Sequence, residues 1–136
     1  PGRALGRVAG VRAGRCDHGS NTAVELWEQS GKQRVDLLTG NRDGGSRCKR
    51  LNDAQDAALR SAIGNVQVVS HRGNFGTYPS AGAQQFVANV MMLSNGELYA
   101  PLANGVPAGV ESDAPRTILH NAPSISGSHA AYLLTA

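Results

Sequence analysis

Aromatic residues are scarce in this chain, at 4% of 136 residues, against 40% hydrophobic residues overall. A core of that composition rests on Val, Leu, Ile and Ala rather than on large rings. No apolar run approaches the roughly 18 residues of a membrane-crossing helix, so no membrane partner is expected. With only two cysteines, Cys16 and Cys48, a disulfide-dense scaffold is excluded. One bridge between them in an oxidising compartment would add about 3–4 kcal/mol; in the cytosol they are free thiols. Cys16 and His18 in RCDHG lack the second ligand pair of a zinc site, which leaves no metal. The glycines of TGNRDGG and SHRGNFG lack phosphate-loop spacing, which leaves no cofactor.

Acidic residues are absent from residues 1–15, which carry Arg3, Arg7, Arg12 and Arg15. Without that leader, nine basic residues face ten acidic ones, so the formal charge of +3 belongs to the leader and to GSRCKR (Gly45–Arg50). Residues 1–20 are expected as a flexible basic arm and 21–136 as a single domain, a usual size for one core. The opening PGRALGRVAG, without methionine, is expected of a piece released from a larger secreted chain.

What is present points to an α+β domain. Asn52 or Asp53 can cap a helix over 52–63, whose Ala54, Ala58, Leu59, Ala62 and Ile63 share a face and whose end meets Gly64. For residues 22–38 two readings compete. Thr22 and Glu25 fit a helix capping box, whereas VELWE and QRVDLL fit strands turning at Ser30–Gly31, the favoured reading. NVQVVSH (65–71) is a strand. QQFVANVMML carries a helical face, but the Asn-Gly after it favours paired strands over 85–93 and 97–102. RTILH (116–120) and HAAYLLT (129–135) complete the outline: an early helix followed by a mostly antiparallel β-sheet in a single domain.

Four residues are expected at or next to strand ends: His71, Glu97, Arg116 and His129. Metal-independent cleavage of RNA needs a base for the 2′-hydroxyl, an acid for the leaving 5′-oxygen and a fixed cation on the phosphoryl group. Glu97 fits the base, assisted by His71; His129 fits the acid and Arg116 the clamp. DAPRTIL followed by GSHAAYLL resembles the ending of the small microbial ribonucleases, the barnase and T1-like guanyl-preferring group. Arg116 matches their strand-opening Arg, His129 their last His and Glu97 their upstream Glu; His71 matches the extra His of the T1-like members.

The resemblance implies an endoribonuclease acting through a 2′,3′-cyclic phosphate, toxin-type and secreted, with RNA and an inhibitor or immunity protein as partners. After Arg60, however, only Arg72 and Arg116 are basic, against three acids, little charge for a phosphate binder. Two alternatives stand beside it: a non-catalytic interaction or inhibitor-type domain, and a toxin domain with Cys–His or group-transfer activity.

Overall fold

In the computed structural model, which describes residues 6–15, 22–40, 49–75, 81–103, 106–107, 113–123 and 128–136, strand and helix alternate through the first five elements, two helices follow, and four strands close the chain. The elements are β1 (Arg7–Arg15), α1 (Thr22–Gln29), β2 (Leu37–Gly40), α2 (Lys49–Ile63), β3 (Gln67–Val69), the short α3 (Arg72–Phe75), α4 (Ala81–Asn95), β4 (Leu102–Ala103), β5 (Val106–Pro107), β6 (Thr117–Pro123) and β7 (Ser128–Thr135). Five strands form one sheet in the order β1-β7-β6-β2-β3, and β4 and β5 pair separately.

The domain is α+β, but its sheet is mixed, which corrects the expectation of a mostly antiparallel one. β2 runs parallel to both β3 and β6, while β7 is antiparallel to β6 and to β1. Nor does one early helix precede the sheet. Residues 7–15 of the expected arm form β1, and α1 and β2 both come before α2.

Alternation along the strands creates two apolar layers. Leu38, Leu119, Ala131 and Leu133 face α1 and α2, joined by Ala23, Leu26 and Leu59. Leu37, Val69, Ile118 and Leu134 face the other way and meet Met92 and Leu93 of α4.

Two expected hairpins are helix ends instead. α1 closes with Gly31 (φ 84°) and Lys32 (φ 54°), whose N–H donates to the Trp27 carbonyl at 3.0 Å. Residues 85–93 lie within α4, where Gly96 (φ 66°) donates to the Met92 carbonyl at 3.0 Å. In both places a left-handed glycine caps a helix rather than turning a hairpin. The expected strand 97–102 reduces to β4.

Candidate functional site: a buried polar layer at the strand carboxyl ends

In open sheets with parallel strands, ligands sit outside the carboxyl ends of the strands, where the strand order switches. Here that edge is the end of β2 and β6, and it carries an unusual density of buried polar side chains. Thr39, His71, Gln85, Asn89, His120, Asn121 and His129 are all at most 5% exposed. Burial on that scale is stable only when the groups pair with one another.

On the α4 face they form one continuous chain. The backbone N–H of His71 donates to Gln85 Oε1 at 3.0 Å, which fixes the Gln85 amide with Nε2 directed at His71 Nδ1, 2.9 Å away. Nδ1 therefore accepts, so Nε2 carries the ring hydrogen and donates it to the Tyr99 carbonyl at 2.8 Å. The second hydrogen of Gln85 Nε2 goes to Asn89 Oδ1 at 2.9 Å. Asn89 Nδ2 donates to Thr39 Oγ1 at 2.8 Å and to the Tyr132 hydroxyl at 3.0 Å. Thr39 Oγ1 meets His120 Nδ1 at 2.9 Å, and the His120 ring stacks on Tyr132 at 4.4 Å. Burial pushes the Tyr132 hydroxyl well above its ordinary pKa, against a smaller opposing effect of the Asn89 bond.

On the opposite face stands a separate pair. His129 Nε2 bonds Asn121 Oδ1, while His129 Nδ1 is buried with no partner. Burial lowers the pKa of His129, and the nearby Glu25 carboxylate partly offsets this. Glu25 is itself paired with Arg12 at 2.6 Å.

The four residues expected to converge do not. His71 and His129 lie near the carboxyl edge but on opposite faces of the sheet, His71 bonded to α4 and His129 on the face of Ala131 and Leu133. Glu97 is exposed in the segment after α4. Arg116 is exposed and precedes Thr117, the first residue of β6. Thr117 pairs with Thr135 and Pro123 with His129; at about 3.4 Å per residue, Arg116 and His129 sit roughly 20 Å apart. No single phosphodiester spans that distance.

Gln85, Asn89, Thr39 and Asn121 escaped the sequence reading. The signal for the first two is a polar pair at i, i+4 inside a run without charge, which has meaning only if the segment is helical. Cys16, His18 and Cys48 lie outside the described residues. Among the described residues no group of three His, Cys, Asp or Glu side chains is arranged to hold a metal, and no helix is long and apolar enough to cross a membrane.

No protein-family model and no curated protein matches this chain. Solved structures do match its fold. Ketosynthase twelve from the bacillaene polyketide synthase of Bacillus amyloliquefaciens superposes with a TM-score of 0.77 at 10% identity, over 96% of this chain and 30% of that one. The ishigamide ketosynthase/chain length factor gives 0.72 at 15% identity, over 98% and 38%. A type II polyketide synthase acyl-carrier protein in complex with its hexaketide-bound ketosynthase gives 0.73 at 14%, over 97% and 38%. This chain thus has a fold found within ketosynthases and spans well under half of each of these chains. That likeness overturns the ribonuclease resemblance. The hydrolase, nuclease and toxin readings fall with it, as do RNA and an immunity protein as partners.

Proposed function

We propose that this chain is a ketosynthase-type α/β unit serving polyketide assembly as a non-condensing partner, in the manner of a subunit that completes a ketosynthase. The observation that carries the reading is the whole-chain likeness to ketosynthase and ketosynthase/chain length factor structures, over 96–98% of this chain. The buried histidines support the non-condensing role. His71 spends both ring nitrogens on Gln85 and Tyr99, and His71, His120 and His129 are each 2% exposed. None of them is presented to a substrate as a free base.

The surface supports a partner on the α4 side. Register places Val8 opposite Leu134 and Val11 opposite Tyr132, which puts both valines on the face that α4 covers. With Val87 and Met91 of α4 they are the large hydrophobic residues left exposed among the described residues, at 47–69%. α4 (AGAQQFVANVMMLSN) contains no charged residue. Exposed apolar groups gathered on one side mark an association surface.

Reconstitution with a ketosynthase and an acyl-carrier protein of the same source tests this. A stoichiometric complex with the ketosynthase, and a change of polyketide product when this chain is omitted, are expected. A chain that stays monomeric beside both proteins and leaves the product unchanged overturns the reading.

A further inference from the structure

At the opposite edge of the sheet, where β2, β3 and β6 begin, an open cleft of about 1690 Å³ separates the carboxyl ends of α1 and α2 from segment 113–116. That is ample for a small molecule. Its lining includes Trp27, Val35 and Ile63, residues that belong to or pack against the apolar layer on the α1 side. Three cations line it as well, Lys32, Arg34 and Arg116, against two carboxylates, Asp36 and Asp113. Arg34 Nε is engaged by Asp36 Oδ1 at 3.0 Å, and Asp36 Oδ2 accepts the backbone N–H groups of Arg116 and Thr117 at 3.0 and 3.1 Å. The Asp36 carboxylate is therefore committed to Arg34 and to the start of β6.

Lys32 is the one non-glycine residue with positive φ among the described residues (54°), a conformation that costs a side-chain-bearing residue about 1 kcal/mol. Helix termination alone would be served by glycine. With lysine there, an ammonium stands 5.9 Å from the centre of the Trp27 ring, on the wall of the cleft.

We propose that this cleft binds a small organic carboxylate with a flat apolar body, the body lying against Trp27 and the anion between Lys32 and Arg116. The proposal goes beyond the assembly role and stands apart from the α4 surface, so either can fail alone. Trp27 and Ile63 supply area burial, and an excess of cations over carboxylates in the lining, three against Asp36 and Asp113, supplies the anion preference.

Trp27 is the sole tryptophan, and its indole N–H donates to the Gln33 carbonyl at 2.8 Å. It gives one indole cross-peak in a ¹H–¹⁵N spectrum, a reporter confined to this cleft. Titration with 2-naphthoate is expected to move that peak saturably, with a Kd of the order of 1 mM or tighter. 2-Naphthalenemethanol, neutral and of the same shape, and inorganic phosphate, an anion without the body, are each expected to bind several-fold more weakly. K32Q and R116Q should each weaken naphthoate about three- to fivefold, the size of an exposed charge contact. R116Q keeps the backbone N–H that Asp36 uses, and dispersion of the spectrum verifies folding of both variants. No saturable shift, equal affinity for naphthoate and the alcohol, or equal affinity for naphthoate and phosphate overturns the proposal, as does indifference to both substitutions.

Discussion

His129 carries an electrostatic liability that the rest of its surroundings only partly relieve. Its ring is 2% exposed, one nitrogen has no partner, and burial holds its pKa below the ordinary 6.5 despite Glu25. In the unfolded chain the same ring protonates near 6.5, so below that pH the unfolded state takes up a proton that the folded state refuses. The stabilising contribution is complete above the unfolded value and is lost as pH falls from there through the lower folded value. Urea midpoints measured between about pH 7.5 and pH 5 should therefore fall, and fall less in H129Q, which can still bond Asn121 but does not titrate. Equal slopes for the two proteins would show that another group governs the acid side. The α4-face network has no such flaw: the bonds fixed by the His71 backbone N–H run without a break through Gln85 to Asn89, Thr39 and Tyr132.

The elements are held in register by contacts that the sequence shows only once the fold is known. Asp36 illustrates this. It stands just before β2, yet its carboxylate spans to β6 through the N–H groups of Arg116 and Thr117, residues 80 and 81 positions away. Asp36→Ala leaves those two donors without their charged acceptor, at a cost of about 2 kcal/mol. Chemical denaturation measures that loss, and amide exchange at Arg116 and Thr117 should accelerate relative to Leu119 at the centre of β6. An unchanged midpoint would mean that water replaces the carboxylate at no cost.

What could be read beforehand follows the same division between local and distant information. α2, with Gly64 at φ 96° after it, and the strands at 67–69, 117–123 and 128–135 announce themselves through local periodicity and caps. α1 and α4 did not, because glycine in the left-handed region ends a helix and turns a hairpin with the same backbone angles. Gly96 is ambiguous until the length of the preceding run is weighed, since the 15 residues of α4 are long for a strand and ordinary for a helix, whereas the eight of α1 before Gly31 fit either. The four-residue cluster failed for a related reason. Falling at a strand end says nothing about which end or which face, and Arg116 and His129 occupy opposite ends of the β6–β7 pair.

For the whole molecule the decisive asymmetry is between the two sides of the sheet. On one side α1 and α2 cover the apolar layer. On the other, α4 buries Met92, Leu93 and the polar network beneath it while turning Val87 and Met91, one helical turn apart, to solvent on the side of the sheet that also carries Val8 and Val11. A helix that is apolar on both faces belongs between two layers, and only one is supplied by the described residues. If that outer face is where a ketosynthase partner seats, V87D/M91D should fold as the parent does, because surface changes usually shift stability by no more than about 0.5 kcal/mol. The same pair should weaken the complex at least about tenfold, the effect of losing central apolar contacts at an interface. Thermal denaturation reads the first expectation and light-scattering titration with the partner the second. Parent-like affinity in the folded double variant would move the interface off α4, while parent-like affinity lost only on substituting Val8 and Val11 would place it on the β1 edge.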